Sequence, residues 1–395
     1  MPLMNQQLGF DNMALANLIT LYSIMYMCGQ FVSGYLNDRL GAKKVVGYGL
    51  IISVTANFLI GFFPSMFFFS GYMLLNGVGQ STGWSGLIRI MSNWYTKKER
   101  GVVMGWWTTC YVIGGFAAVL FATWWGTNNV FASLGWKKVF WAPAILLLVI
   151  TVIFWKKIRN QPYYHQVDRS QGLLSIEQTE APALKSSLAI FSVLLNPALW
   201  LVAIMYFFTK FIRYSFLFWL PLYFSQNFGY SNEVSGYTSS VFELAGFLGI
   251  LAAGYLSDKL FGSARFSVSA IFLFSLGLLF MFQPAISQFG YWGNVFTIGA
   301  SGFLIYGPDS LMSAAAAMDI GKGNHTGVAA GFINGVGSAG QLLSPFAVAY
   351  ISSTYGWDSL FKVFLVMAFI AGIMLAIKWN YGVIKKVKVT ELYTS

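Results

Sequence analysis

Four ionisable side chains stand inside apolar stretches of the chain. Lys210 and Arg213 lie in KFIRYSFLFWLP (Lys210–Pro221), Glu243 in FELAG (Phe242–Gly246) and Asp309 in YGPDSL (Tyr306–Leu311). A charge at membrane depth is costly, and such groups usually mark the path of an ion or a polar solute. Arg213 falls about sixteen residues into its run, roughly 24 Å at 1.5 Å per residue, near the middle of a bilayer. Its guanidinium stays charged and offers a planar donor fork that suits an oxyanion. Lys210, three residues earlier, shares that helix face and either adds a second positive charge or snorkels to water. Glu243 and Asp309 can each neutralise a cation while the site is empty and yield when an anion enters. Asp309 follows Gly-Pro and could instead cap a broken helix. Tyr22, Tyr26, Tyr111, Tyr214 and Trp219 offer hydrogen-bond donors or plain packing. The chemistry indicated is recognition of an anion with no bond broken. No catalytic triad, metal cluster, P-loop or cofactor motif accompanies these residues, so the sequence reads as a non-enzyme without a cofactor.

These side chains must be held by membrane-spanning helices. The chain has 395 residues, of which 57% are hydrophobic, 18% aromatic and 9% charged, against about 25% charged in a soluble domain. Apolar runs at about 12–36, 45–63, 66–92, 102–124, 138–156, 197–224, 234–256, 266–284, 292–318, 327–351 and 358–379 are long enough to cross a bilayer as helices. The net charge of +11 sits in short loops, so topology explains it and nucleic-acid binding does not. Arg39, Lys43 and Lys44, then Lys97, Lys98 and Arg100, then Lys156, Lys157 and Arg159 fall in alternate loops, as do Lys259, Arg265, Lys322 and Lys385, Lys386, Lys388. The opposite loops hold little beyond Lys137, Lys138, Glu233 and Asp358. By the positive-inside rule the first set is cytoplasmic, together with the C-terminus. Cys28 and Cys110 lie inside apolar runs and read as buried, inert thiols. Arg89, near a cytoplasmic helix end, suits snorkelling or loop pairing. Gly77, Gly79, Gly83, Gly86 and Gly327, Gly331, Gly335, Gly340 follow helix-packing spacing.

The chain also repeats itself. GYLNDRL at Gly34–Leu40 returns as GYLSDKL at Gly254–Leu260, ERGVVMG at Glu99–Gly105 as HTGVAAG at His325–Gly331, and GWKKVF at Gly135–Phe140 as GWDSLF at Gly356–Phe361. The offsets are all close to 220 residues and keep one order along the chain, which implies two homologous parallel halves. The resulting division is 1–156 as an N-terminal half of five spans, 157–187 as a cytoplasmic linker, 188–380 as a C-terminal half of six spans, and 381–395 as a cytoplasmic tail. The linker includes RNQPYYHQVDRSQGLLSIEQTEAP, with His165 in a solvated setting and room for one amphipathic turn. Gly9 falls opposite Gly229 and Pro2 opposite Pro221. The counterpart of the helix at 197–224 would then precede Met1, in frame, with an arginine about eight residues before Pro2.

GYLNDRLGAKK resembles the loop signature of the major facilitator superfamily between its second and third helices, through Gly34, Asp38, Arg39, Lys43 and Lys44. Its second copy carries Gly254, Asp258 and Lys259, and with Glu99 and Arg100 these residues are the expected cytoplasmic gating motifs. RIMSNWYTKKERG (Arg89–Gly101), together with the three segments quoted first, is similar to the organophosphate:phosphate antiporters of that superfamily. The resemblance implies an all-α polytopic membrane protein with the major facilitator fold, two pseudo-symmetric six-helix halves of which this chain holds eleven of twelve helices. In that family one arginine on the first helix and one on the seventh grip phosphate across a central cavity. Arg213 matches the seventh-helix arginine, and the other has no position here. Tyr111 stands where glycerol-phosphate exchangers place a histidine, so the likeness extends to phosphorylated solutes in general. The expectation is exchange of a phosphate ester for inorganic phosphate, by a monomer in the inner (plasma) membrane. A transporter-like sensor of phosphate esters and a proton-coupled organic-anion symporter are the alternatives.

Overall fold

Apolar side chains on a segment surrounded by lipid leave the backbone no partner but itself, and the helix satisfies every N–H and C=O internally. The computed structural model describes residues 8, 12–127, 130–162 and 187–381 and, within helices, leaves out a few side chains, including that of Tyr111. The linker from 163 to 186 with His165, the tail beyond 381 and the Tyr111 side chain therefore lie outside the described residues.

The helices are α1 (Asn12–Leu36), α2 (Ala42–Leu59), α3 (Met66–Trp94), α4 (Arg100–Thr108), α5 (Cys110–Thr127), α6 (Lys138–Lys157), α7 (Ser187–Leu194), α8 (Pro197–Phe228), α9 (Asn232–Tyr255), α10 (Arg265–Ser287), α11 (Gly290–Ser310), α12 (Thr326–Tyr355) and α13 (Trp357–Ala376). Among the described residues they fall on all eleven apolar runs, with the run at 102–124 broken at Thr109 into α4 and α5, the short α7 added, and one further helical turn, Ala317–Ile320, between α11 and α12. Both copies of the repeated loop wind into a wide π-helical turn, at Asn37–Gly41 and Leu256–Leu260, and a third such turn, Leu311–Ala316, follows α11.

Only five described stretches are long and apolar enough to cross a membrane by length and composition alone: Ser133–Lys157, Pro197–Phe228, Val234–Leu260, Arg265–Ser287 and Trp357–Ala376. The rest carry small and polar residues that neighbouring helices absorb. Ser33 Oγ donates to Ser81 O at 2.9 Å and Asn37 Nδ2 to Ser85 Oγ at 2.9 Å, joining α1 and the turn that follows it to α3. A Cβ on Gly77 would lie 2.6 Å from Tyr22 O, so α1 and α3 meet backbone to backbone there. Gly83 faces open space instead, and its place in the glycine spacing serves no packing. On α6, Ile145, Leu146, Leu148, Val149, Ile150, Val152 and Ile153 are all exposed, a face suited to acyl chains. Cys28 and Cys110 are likewise exposed rather than buried; an apolar run has a lipid face as well as a protein face, and composition does not distinguish them.

Residue contacts gather the chain into two units. One holds α1–α3, α5–α7, α8 up to Phe211 and α12 up to Ser344. The other holds α4, α8 from Ile212, α9–α11, α12 from Pro345 and α13. Aromatic packing of Phe216 with Phe242, Phe280, Phe361 and Phe364 forms much of the second unit's core.

Candidate functional site

Arg213 is 7% exposed and Asp309 1%. Nη1 of Arg213 donates to Asp309 Oδ2 at 3.1 Å, and the guanidinium carbon sits 4.4 Å from the ring centroid of Tyr306 and 5.3 Å from that of Tyr214. Tyr306 in turn donates its hydroxyl to Glu243 Oε1 at 2.6 Å. Three helices thus converge in the second unit: α8 brings Arg213 and Tyr214, α9 brings Glu243, and α11 brings Tyr306 and Asp309. Two glycines allow the approach of α9 and α11, since a Cβ on Gly302 would strike Phe242 O and one on Gly246 the Tyr306 ring. Asp309 belongs to α11 itself, just before the turn at Leu311–Ala316, and its Oδ1 is buried without a hydrogen-bond partner. The arrangement can do one thing readily. An arginine cannot release a carboxylate by losing its proton, but it can trade that carboxylate for a phosphate oxygen.

Lys210 occupies a separate cluster in the first unit. Its Nζ donates to Asn334 Oδ1 at 2.7 Å and Ser338 Oγ at 3.2 Å, and lies 5.1 Å from the centroid of the Tyr206 ring. Asn334 Nδ2 reaches Tyr26 OH at 3.4 Å, and Tyr22 stacks on Tyr26 with centroids 6.0 Å apart. Trp219 borders a small aromatic-lined cavity of about 20 Å³ with Tyr223, Trp357 and Phe361.

The loop motifs build two clasps of one design. Asp38 accepts from the backbone N–H groups of Gly327 (2.9 Å) and Val328 (2.7 Å), at the start of α12, and pairs with Arg89 Nε at 3.0 Å. Burial pushes the Asp38 carboxyl up to about 6, against the downward pull of Arg89 and the two N–H groups. Half-buried His325 beside it is held below its ordinary value by desolvation and by Arg89. Asp258 accepts from Val102 N at 2.8 Å, at the start of α4, and pairs with Arg265 Nη1 at 2.8 Å. A carboxylate at a helix N-terminus meets unpaired N–H groups and the positive end of the helix dipole. A side chain at Gly327 or Gly101 would collide with the aspartate, its Cβ lying 2.8 Å from Asp38 Oδ1 or 2.5 Å from Asp258 Oδ1. The echo of ERGVVMG in HTGVAAG marks these two seats.

Arg265, expected as a loop cation, is 1% exposed and holds the second clasp together. Its Nε meets Asp319 Oδ2 at 2.8 Å and its Nη2 meets Lys97 O at 2.8 Å, while Arg100 Nη1 reaches Asp319 Oδ1 at 3.1 Å. Of the other gating candidates, Gly34 and Gly254 pack against the clasp seats, where a Cβ would lie 2.5 Å from Gly327 O and 2.6 Å from Gly101 O, whereas Lys259 is exposed, Arg39 bonds Tyr35 OH, and Glu99 takes its bonds from Thr96. Tyr306, Arg265, Asp319, Asn334 and Ser338 are the residues missed by reading the sequence. Tyr306 and Arg265 stood inside segments already singled out; Asn334 and Ser338, being uncharged, left no comparable signal.

The sequence pattern of the Major Facilitator Superfamily matches residues 1–338. The chain is 29% identical to the putative glycerol-3-phosphate transporter 2 of Arabidopsis thaliana over 93% of its length and 77% of that protein's. It is 31% identical to the membrane sensor protein UhpC of Salmonella typhimurium, over 91% of this chain and 81% of that one. Among solved structures, the MFS transporter FucP in its outward conformation superposes with a TM-score of 0.72, at 12% identity and covering 96% of this chain and 93% of that chain. The chain belongs to the Major Facilitator Superfamily, and it is a multi-pass membrane transporter rather than an enzyme.

Proposed function

We propose that the protein exchanges a phosphorylated organic solute for inorganic phosphate by alternating access. The observation that carries this reading is Arg213, a buried guanidinium whose charge is met by a carboxylate at 3.1 Å. In the empty state Asp309 holds the fork. A phosphate oxygen, carrying more negative charge and more lone pairs, takes its place and frees the carboxylate. Glu243, held by Tyr306, adds negative charge beside the same cation and favours release once the ester has crossed. The name of the Arabidopsis relative supports a phosphate ester as the solute. The two aspartate clasps serve as cytoplasmic gates that part and re-form during the cycle. In this reading residues 1–156 and 188–380 are the two halves that move, joined by 157–187. The protein sits as a monomer in the plasma membrane with its C-terminus in the cytoplasm.

Counterflow tests the proposal. Proteoliposomes loaded with inorganic phosphate should take up labelled phosphate, and a panel of phosphate esters should compete and drive exchange. Uptake that ignores phosphate inside and follows a proton gradient would sink it. The likeness to a membrane sensor favours a second reading, in which the same site binds the ester and reports it to a partner. Binding without counterflow would select that reading.

A further inference from the structure

The first clasp does not end at Arg89. Its Nη1 donates to Asn93 Oδ1, one helical turn further along α3. The Asn93 amide is thereby oriented, and its Nδ2 donates to the main-chain oxygen of Asn160 at 2.9 Å. Asn160 lies just past α6, where the chain leaves the helix for the linker. Its own Oδ1 accepts from Lys43 N at 2.8 Å, in the first turn of α2. That helix takes no cap from the residue before it, and the first N–H groups of a helix have no partner within it. Gly41, at φ +90°, admits the contact, since a Cβ there would lie 3.1 Å from Asn160 Nδ2. Trp94 Nε1 adds a bond to Arg159 O at 3.3 Å. A polar cavity of about 140 Å³ lies among Asp38, Arg89, Asn93, Asn160 and Gln161. Asn160 is thus held by directed bonds at the edge of a space roomy enough for water, which can solvate these groups as they part.

We infer that the root of the linker controls the first clasp, with Asn160 and Asn93 as positioning residues. Asn160 anchors on α2 and holds Asn93, Asn93 holds Arg89, and Arg89 holds Asp38 against the start of α12. Every link lies within the first unit. Drawing Asn160 off α2 frees the Asn93 amide to turn, leaves Arg89 with one anchor fewer and weakens the seat of Asp38 on Gly327 and Val328. The coupling is reciprocal, so opening the clasp also releases the root. The linker then does more than join two halves: a partner bound to it has a handle on the gate. The inference holds for a transporter and for a sensor alike, because it concerns the clasp and not the solute.

The test is residue-resolved hydrogen–deuterium exchange on the full-length chain in detergent, without solute. It reads the N–H of Lys43, which donates to Asn160, and those of Gly327 and Val328, which donate to Asp38. Asn160→Ala should speed exchange at Lys43 about tenfold, for the loss of one hydrogen bond, and at Gly327 and Val328 about threefold. Asn160→Asp keeps an acceptor and places a negative charge at the start of α2, so exchange at all these groups should stay within about twofold of wild type. Asn93→Leu keeps the volume and removes both bonds, and should speed all of them about threefold or more. Asp38→Asn acts from the other end and should speed Lys43 about threefold. Gly327 and Val328 unchanged in Asn160→Ala would overturn the inference, as would Lys43 unchanged in Asp38→Asn. A rise of equal size at amides in the middle of α10 would also overturn it, because that marks general unfolding. Exchange is read without transport, so failure here leaves the anion site standing, and absent counterflow leaves the clasp result standing.

Discussion

Asp309→Asn separates two quantities that move together in most binding-site variants. The substitution removes the charge 3.1 Å from Arg213 Nη1 and leaves a buried guanidinium facing a neutral amide. Losing one partner of a buried pair costs about 3–5 kcal/mol. The face of Tyr306, 4.4 Å from the guanidinium carbon, retains part of the stabilisation, worth about 1–2 kcal/mol for a desolvated cation over an aromatic ring. A net loss of about 1–4 kcal/mol remains, all of it in the empty state. Phosphate restores most of that loss when it binds, because it no longer has to displace a carboxylate. The empty variant should therefore melt at a lower temperature than wild type, while its phosphate affinity rises about tenfold or more. Thermal unfolding in detergent, with and without inorganic phosphate, reads both, and the phosphate-induced rise in Tm should be larger in the variant. An unchanged melting temperature without phosphate would mean that the pair contributes nothing. Weaker phosphate binding would mean that Asp309 orients Arg213 for the solute rather than competing with it. Either result refutes the exchange of partners.

Arg213→Lys keeps the charge and loses the fork, so phosphate affinity should fall about tenfold or more with membrane insertion normal; near wild-type exchange would remove Arg213 from the site. Glu243→Gln still accepts the Tyr306 hydroxyl through its amide oxygen, so phosphate should bind as well or better while turnover slows. Weaker binding with unchanged turnover would contradict that role. Asp38 titrates at about 6 in the clasp against 3.8 when free. The clasped form therefore binds a proton that the free carboxyl releases, and its advantage, present below 3.8, is lost as pH rises through 6. Acidification from pH 7 to pH 5 should stabilise the clasp by about 1.3 kcal/mol, and the full effect of about 3 kcal/mol is reached only below pH 3.8. Asp38→Asn should flatten this part of the dependence, and a wild-type Tm that falls on acidification while the variant stays flat would reverse the sign.

The spans were legible because lipid demands about 20 apolar residues for each helix, and the same cost of burying charge marked Arg213, Glu243 and Asp309. What the sequence could not assign was partnership. Asp309 and Glu243 were equal candidates for Arg213 until the rotation of α9 and α11 about their axes placed one on the guanidinium and the other on Tyr306. Arg265 stands at the boundary of its apolar run, where composition reads a loop cation, and only the fold shows it sealed between Asp258 and Asp319. Lys210 stood out by its charge, whereas the neutral amide and hydroxyl that hold it did not.

The clasps have a consequence for how such a chain can arise. Each repeat copy carries a hook, the aspartate of its loop, and an eye, the glycine-led first turn of a later helix. Asp38 of the first copy closes on Gly327 and Val328 of the second, and Asp258 of the second closes on Val102 of the first. Hook and eye on one copy are thus already complementary to those on its twin. Two identical half-length chains could fasten to each other with the same pair of bonds. Fusing them end to end would have required no new surface, only a linker.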